Sequence, residues 1–261
     1  MKPTLEDIES LARGAGEILR AGFGQRHQVR YKGEIDLVTE ADHASEEFLL
    51  NEIRRRFPDH QVVSEESDGI AGAECCQWII DPLDGTVNYA HGVPIFSVSI
   101  AYREDNLMRL GVVYDPMQEE CFSAERGQGS FMNGRPLHVS QAQALVRSLL
   151  VTGFSYDIRT NPRNNLDYYA TFSLCSQGVR RLGSAALDLS YVAAGRFDGY
   201  WELEIKPWDI AAGGLIAEQA GAMVTDVLGR PDYLKPPCSI LATTPGIHAE
   251  MVSILDNVHS G

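Results

Sequence analysis

The chain has 261 residues, of which 44% are hydrophobic and 22% charged, as in an ordinary soluble globular protein with a sizeable core. Its formal net charge of -14 argues against a general nucleic-acid-binding protein, because counterion release requires a basic face. No apolar run approaches the roughly 20 residues that are needed to cross a bilayer, so we expect no membrane-spanning segment.

The first half of the chain is predicted to begin with two helices and to continue as a β-rich segment. Apolar residues at helical spacing predict a helix over 5–23 with Thr4 as its N-cap, and a second helix over about 41–57 that Pro58 ends. QVVSEES and WIID then predict two strands that end in acidic residues. From 96 to 139 the alternation of apolar and polar residues predicts hairpins, so we expect an antiparallel sheet packed on helices.

The second half of the chain alternates helices with strands. SLLVTGF, FDGYWEL, AMVTDV and CSILATT predict strands. Helices are predicted near 163–176, over 184–195, over WDIAAGGLIAEQAG up to Gly221, and after Pro245. This alternation predicts α/β layers. A boundary near residue 145 would separate two subdomains, about 1–145 and 146–261, of a single domain that spans 1–261.

Acidic residues stand at the ends of three predicted elements. Glu65 and Glu66 end one strand, Asp81 and Asp84 end the next, and Asp209 opens a helix. Taken singly, a D-x-x-D is most often a capped turn, and an Asp at a helix start is most often an N-cap. Carboxylates that are brought together repel unless a cation neutralises them. The three acidic ends together therefore favour a site for Mg²⁺ or Mn²⁺, which prefer oxygen ligands.

The turn DPLDGT has further features that suit a phosphate ester. Pro82 fixes the turn, and the carbonyl of Leu83 is a further oxygen ligand. Gly85 lets backbone amides approach an anion closely, and Thr86 adds a hydroxyl that can bind phosphate or orient a water. Two divalent ions about 4 Å apart are the arrangement for in-line attack of water on a phosphoryl group. They would also cancel the repulsion between carboxylates and phosphate.

Other sites for phosphate or metal are excluded by spacing. An EF-hand loop needs oxygen ligands at its first, third and fifth positions, but here the third is Leu83 and the fifth is Gly85, which argues against a structural Ca²⁺ protein. The chain has no Walker A loop and no H-E-x-x-H. It also lacks the D-x-D of aspartyl-phosphate enzymes.

The five cysteines predict neither a disulfide framework nor a zinc site. They are odd in number and lack a C-x-x-C spacing, and Cys75 and Cys76 are neighbours, which is poor geometry for an ordinary disulfide. The segment MKPTLEDIES lacks the pattern of a secretory signal. We therefore expect a cytoplasmic protein.

Three longer segments carry a resemblance to a known family. EES at 65–67, WIIDPLDGTVNYAH at 78–91 and PWDIAAGGLIAEQAGA at 207–222 resemble the metal-site motifs of inositol monophosphatases, most closely those of bacteria. DLVTEAD at 36–42 and RRLGSAALDLSYVAAGRFDGYWE at 180–202 add further matches. This superfamily of magnesium-dependent, lithium-sensitive phosphatases also contains fructose-1,6-bisphosphatases. The resemblance implies the sugar-phosphatase fold, an α/β (α+β) sandwich layered α-β-α-β-α, and a homodimer.

The resemblance implies the ligands of two Mg²⁺ ions, for which Mn²⁺ can substitute. Glu65, Asp81 and the carbonyl of Leu83 would hold the first ion, and Asp81, Asp84 and Asp209 the second. Glu65 would also help to position a third, weaker ion through water.

The resemblance further implies which residues act on the substrate. Thr86 and Glu65 would orient the attacking water, and Asp42 would accept a hydrogen bond from Thr86. Lys32 matches a basic residue near the metal loop. Six residues are expected to contact the substrate: Asp84, Gly85, Thr86, Ser184, Ala185 and Glu202.

The implied activity is hydrolysis of myo-inositol monophosphate, or of a similar polyol or sugar phosphate, by metal-activated water. Glu202 favours a neutral polyol, whereas Lys206 and Arg180 keep open a fructose-1,6-bisphosphatase or a 3′-phosphonucleotide phosphatase. An alternative of another class is a regulatory binding protein that retains the fold, for instance one that acts on the transcription machinery. We expect a small phosphate ester as substrate and no direct binding of nucleic acid or membrane.

Overall fold

The structure is a computed structural model that describes residues 2–25, 30–31 and 37–258. Seven α-helices lie in this part of the chain: α1 Leu5–Gly22, α2 Glu40–Arg56, α3 Thr86–Ala90, α4 Leu166–Cys175, α5 Ala185–Ala193, α6 Pro207–Gln219 and α7 Pro245–Val258. None of these helices combines the length and the apolarity that a bilayer crossing requires.

The strands form three sheets. The first half of the chain contributes β1 Arg30–Tyr31, β2 Leu37–Val38, β3 His60–Ser64, β4 Ala73–Asp84, β5 Ser97–Glu104, β6 Leu107–Asp115, β7 Glu120–Glu125, β8 Gly129–Met132 and β9 Arg135–Pro136. The second half contributes β10 Leu149–Thr152, β11 Gly178–Arg180, β12 Gly199–Leu203, β13 Met223–Thr225 and β14 Ser239–Thr243. Strands β1 and β2 pair with each other, β3 to β9 form a seven-stranded sheet in chain order, and the other five follow the order β11-β10-β12-β14-β13.

Both larger sheets are mixed. In the seven-stranded sheet, β3 and β4 are parallel and the remaining pairs are antiparallel. In the five-stranded sheet, β10 runs parallel to β11 and β12, while β14 is antiparallel to both of its neighbours. Strand β11 was not predicted, because three residues at a sheet edge leave too short an apolar pattern to distinguish them from a loop.

The helices complete five layers. Helices α1 and α2 cover one face of the seven-stranded sheet, α5 and α6 lie between the two large sheets, and α4 and α7 cover the outer face of the five-stranded sheet. The predicted α-β-α-β-α sandwich is therefore confirmed. The central core draws on both halves of the chain, since Ile79 and Val113 of the first sheet cluster with Leu189 and Ile216 of the central helices.

The local sequence accounts for the residues at which α1 and α2 begin. The side chain of Thr4 accepts a hydrogen bond from the amide of Asp7, and the Asp7 carboxylate accepts one from the Thr4 amide, which is a capping box. Thr39 and Asp42 form the same arrangement at α2. The first helix therefore begins where it was predicted, and α2 begins one residue before the expected start.

The cysteines are not joined to one another. All five are free thiols, and the sulfurs of Cys75 and Cys76 lie 3.5 Å apart without a bond.

Candidate metal centre and active site

A cavity of about 740 Å³ opens between the two large sheets. Its wall is built by the end of β4, the start of α3, the loop after β10, the N-terminal ends of α5 and α6, and the end of β12. Almost all polar groups that the sequence singled out lie at these ends. The cavity is therefore where their chemistry can be combined.

An irregularity in β4 turns two carboxylates towards the same face of the sheet. Asp81 pairs with Ser99 and Asp84 pairs with Ser97, so three steps along β4 match two steps along β5. In a regular strand, residues three apart point to opposite faces. The extra residue is a β-bulge, which restores a common face for Asp81 and Asp84.

Three carboxylates from three different elements converge at this point. An oxygen of Glu65, one of Asp81 and one of Asp209 all lie within 4.8 Å of one another. Glu65 directly follows β3, Asp81 lies in β4, and Asp209 lies in the first turn of α6, where its Oδ2 accepts the amide hydrogen of Lys206 at 3.0 Å. Asp81 is buried, and the other two are partly exposed.

The electrostatics of this cluster favour a cation. Burial, together with the charges of Glu65, Asp84 and Asp209, raises the pKa of Asp81 well above its ordinary range. Burial and the charges of Glu65 and Asp84 do the same to the pKa of Asp209. A divalent cation would remove this repulsion, and the donors are all hard carboxylate oxygens. The residues present thus fit Mg²⁺, and the acidic cluster can hold a metal ion.

Asp84 faces a different set of groups. Its Oδ2 accepts hydrogen bonds from the Ser184 hydroxyl at 2.6 Å and from the Ala186 amide at 2.8 Å, and its Oδ1 accepts one from the Ala185 amide at 3.3 Å. Burial nevertheless raises the pKa of Asp84 to about 6. The carboxylate is thus held at the N-terminus of α5, next to the three-carboxylate cluster but outside it. Its part in holding a second ion stays a prediction.

The hydroxyl group of Thr86 lies between two hydrogen-bond acceptors. Its Oγ1 lies 3.0 Å from Oδ1 of Asp42 and 2.9 Å from the carbonyl oxygen of Leu83. Either acceptor can take the single hydroxyl proton, which leaves the oxygen of Thr86 able to accept a hydrogen bond from a third group. Asp42 is buried and its other oxygen, Oδ2, accepts the amide hydrogen of Thr39 at 2.9 Å, so it is held in place.

Gly85 connects the metal loop to α3. Its φ of +96° is in the left-handed region, and a Cβ there would lie 3.0 Å from the Ile95 carbonyl oxygen and 3.3 Å from that of Gly183. Only glycine takes this backbone conformation without strain at such close approach. The binding of phosphate by the Gly85 and Thr86 amides remains a prediction.

Glu202 stands on the far wall, on β12. Its Oε2 accepts a hydrogen bond from the Tyr200 hydroxyl at 2.6 Å, and burial raises its pKa to about 7. Gly153 lies directly against it, because a Cβ at that position would overlap the Glu202 carboxylate.

Several cavity residues were not singled out from the sequence. Asp188 could have been found, because it lies one helical turn after Ser184 on the same face of α5. No sequence pattern indicates a role for Gly153, because its role depends on its close approach to Glu202 in the folded chain. Arg181 is exposed, and it also lines the cavity. Lys32 lies outside the described residues.

Comparisons with known proteins agree with this geometry. The chain matches the model of the inositol monophosphatase family over residues 1–260. It is 43% identical to an inositol-1-monophosphatase of Synechocystis sp., covering 96% of this chain and 88% of that one. It is 42% identical to the Nus factor SuhB of Pasteurella multocida, covering 97% and 96%. The solved structure of an inositol monophosphatase from Anabaena (Nostoc) sp. PCC 7120 is 43% identical and superimposes with a TM-score of 0.88, covering 97% and 95%.

Proposed function

The chain belongs to the inositol monophosphatase family, and on that premise we propose that it is a Mg²⁺-dependent phosphomonoesterase. Its substrate would be myo-inositol monophosphate, or a similar polyol or sugar phosphate, which it would hydrolyse to the alcohol and phosphate. The observation that supports this most is the convergence of Glu65, Asp81 and Asp209 on one wall of a cavity. Hydrolysis of a phosphate monoester has a very high barrier, so electrostatic stabilisation must supply most of the acceleration.

In this proposal the acidic residues hold the cations. Glu65, Asp81 and the Leu83 carbonyl would hold one Mg²⁺, and Asp81 with Asp84 and Asp209 a second; Glu65 would contribute to a third, weaker site. When bound, these ions supply Lewis-acid stabilisation of the phosphoryl oxygens and make water more acidic.

The chain's own contribution to the reaction is orientation. When the Thr86 hydroxyl donates to Asp42, its oxygen would accept a hydrogen bond from the attacking water. Glu65 would accept a second hydrogen bond from that water. Restricting the water in this way removes much of the entropic cost of the reaction.

The N-terminus of α5 and the far wall would receive the alcohol. Ser184 and the Ala185 amide lie beside Asp84, and Glu202 faces the same cavity. The carboxyl groups of Asp84 and Glu202 are acceptors, which suits the hydroxyl groups of a polyol better than a second phosphate. A sugar bisphosphatase or a 3′-phosphonucleotide phosphatase therefore ranks behind inositol monophosphatase in this proposal.

A substrate panel tests this choice. Inositol 1-phosphate, glycerol 2-phosphate, fructose 1,6-bisphosphate and adenosine 3′,5′-bisphosphate would be ranked by kcat/KM in the presence of Mg²⁺, with EDTA as the control. We expect inositol 1-phosphate to lead and EDTA to abolish every rate. A strong preference for fructose 1,6-bisphosphate would overturn the choice of substrate, and activity in EDTA would overturn the metal dependence.

The relatives that are named as Nus factors support a second candidate, a regulatory binding role towards the transcription machinery. Asp84→Asn separates the two candidates, because it removes one carboxylate of the predicted metal set but keeps the shape of the side chain. We expect kcat/KM to fall at least about a hundredfold, whereas a purely binding role would survive the change. Asp167→Asn on the exposed surface of α4 is the matched control and should change the rate less than about twofold.

A further inference from the structure

The cavity wall contains a buried carboxyl group that takes no part in the mechanism proposed above. Asp188 is 1% exposed and lines the cavity. Its Oδ1 has no hydrogen-bond partner among the residues that the structure describes. Leaving a buried polar atom unpaired costs free energy, so most such atoms in proteins are satisfied by some group. At the wall of a binding cavity, that group can belong to the ligand.

The position of Asp188 places it among the groups that are predicted to receive the alcohol. It follows Ser184 by four residues on α5, so the two side chains lie on one helix face, one turn apart. The Ser184 hydroxyl is bonded to Asp84. Burial raises the pKa of Asp188 well above the ordinary range, and the charges of Asp84 and Glu202 raise it further, while the Arg181 charge lowers it.

This part of the cavity is rich in acceptors, and the Arg181 guanidinium is a donor at its wall that is close enough to act on both Asp188 and Glu202. Asp84 and Glu202 already take their donors from the protein, from Ser184 and Tyr200 respectively. Oδ1 of Asp188 remains unsatisfied. A ligand that completes this wall brings a hydrogen-bond donor to Asp188, and the donors of a polyol are its hydroxyl groups.

We propose that Asp188 is a specificity-determining residue, whose carboxyl group accepts a hydrogen bond from a hydroxyl group of the leaving alcohol beside Glu202. This inference rests on the proposed function, since it assigns a further contact in the same cavity. It adds a reason for the choice of a polyol phosphate over an ester whose alcohol has no free hydroxyl groups.

Two esters that differ only in hydroxyl groups test the proposal. Inositol 1-phosphate and cyclohexyl phosphate have the same ring, but the second carries no free hydroxyl. The measurement is the ratio of their kcat/KM values for the wild type, Asp188→Ala and Asp188→Asn. We expect Asp188→Ala to lower the ratio by about tenfold to a hundredfold, because a site built to bind a hydroxyl discriminates through it.

The asparagine variant keeps the shape of the side chain and one acceptor oxygen, so its ratio should fall less than that of the alanine variant. Ser190→Ala is the matched control, since Ser190 is buried on the same helix but donates to the Ala186 carbonyl instead of facing the cavity. Its ratio should stay at the wild-type value.

The outcomes separate this inference from the proposed function. If the wild type hydrolyses both esters and both Asp188 variants keep or raise the ratio, a trapped water or a structural role accounts for Asp188 and the inference is wrong, while the proposed function stands. If the wild type hydrolyses neither ester with Mg²⁺, the inference about Asp188 and the proposed function are both wrong. Circular dichroism and the melting temperature of each variant show whether a lost rate reflects lost folding.

Discussion

At the scale of single residues, the site depends on carboxylates that are brought close together and then held by neutral neighbours. Glu46 shows this most directly. It is buried on α2, and its Oε1 accepts hydrogen bonds from the hydroxyls of Ser64 and Ser67, which flank the segment that carries Glu65. It therefore fixes the backbone from which a predicted metal ligand projects, although it does not belong to the three-carboxylate cluster itself.

Removing this support should weaken the metal site. We expect Glu46→Ala to raise the Mg²⁺ concentration that gives half-maximal activity by about tenfold, as is usual when a group that orients a ligand is lost. The measurement is a Mg²⁺ titration of the hydrolysis rate. Glu47→Ala, at the exposed neighbouring position, is the control, and an equal shift in both variants would contradict the assignment.

Gly153 is the second residue whose role depends on a neighbour. A Cβ here would overlap the carboxylate of Glu202, which is itself held by Tyr200. We expect Gly153→Ala to raise KM for inositol 1-phosphate by about tenfold, because Glu202 must leave its position and one hydrogen bond of about 1–2 kcal/mol is lost. Steady-state kinetics would show this.

A matched control is available for that substitution. Gly178→Ala on the edge strand β11 meets only the end of the Arg180 side chain at 3.2 Å and a Leu149 methyl at 3.9 Å, so KM should not change. An unchanged KM in Gly153→Ala would show that Glu202 does not contact the substrate.

At the scale of elements, the site requires α5 and α6 to lie close together between the sheets. Ser184 precedes one helix and Asp209 lies in the first turn of the other. Glycine allows the approach: a Cβ on Gly213 would lie 2.7 Å from Cβ of Leu189, and one on Gly111 of β6 would lie 3.0 Å from the Ala212 carbonyl oxygen. These helices can therefore approach closely because glycine has no side chain at their contact.

Gly213→Ala should separate the two helices. Overpacking costs about 1–3 kcal/mol, and the better helix propensity of alanine returns at most about 1 kcal/mol, so we expect a net loss of stability. The free energy of unfolding from urea titration measures this loss. Asn51→Ala on the exposed face of α2 should stay within about 0.5 kcal/mol of the wild type, and a stabilised Gly213→Ala would disprove the close contact.

At the scale of the whole molecule, the buried acids make stability depend on pH and on metal. The folded-state pKa is raised for Asp84 to about 6 and for Glu202 to about 7, and it is also raised well above the ordinary range for Asp81 and Asp209. A carboxyl group whose pKa is raised in the folded state binds more protons there than in the unfolded chain. The stability of the metal-free protein therefore falls as the pH rises from about 4 towards 7.

Magnesium should reverse this trend. In EDTA we expect a lower melting temperature at pH 7.5 than at pH 5.5, and in millimolar Mg²⁺ an increase that is larger at pH 7.5, where more carboxylates are free to bind it. Differential scanning fluorimetry measures both. NaCl at equal ionic strength is the control. An Mg²⁺ shift that is equal at the two pH values would contradict binding at the acidic cluster.

A homodimer is the second expectation at this scale. The resemblance implies it, and α4 exposes apolar side chains that suit an interface: Leu174 is 89% and Leu166 51% exposed. We expect light scattering on a size-exclusion column to give twice the chain mass, and Leu174→Glu to give a monomer. A monomeric wild type at tens of micromolar would disprove the dimer, and a dimeric variant would place the interface elsewhere.

The sequence by itself determined the elements and the chemistry they carry. The capping pair of Thr4 and Asp7, the apolar spacing of α1 and the alternation of β5 and β6 are local features, so the helices and hairpins could be predicted within a few residues. The acidic residues at the ends of the predicted elements and the turn DPLDGT identified the ligand atoms of the site, because the type of ligand depends on side-chain chemistry and not on the fold.

Only the tertiary structure decided how these groups meet. The bulge that turns Asp81 and Asp84 to one face depends on the pairing of β4 with β5, and sequence spacing alone would have placed them on opposite faces. The attachment of Asp84 to α5 joins residues about 100 positions apart, and the approach of Gly153 to Glu202 joins residues about 50 positions apart. Such contacts depend on how the layers stack, which no local pattern encodes.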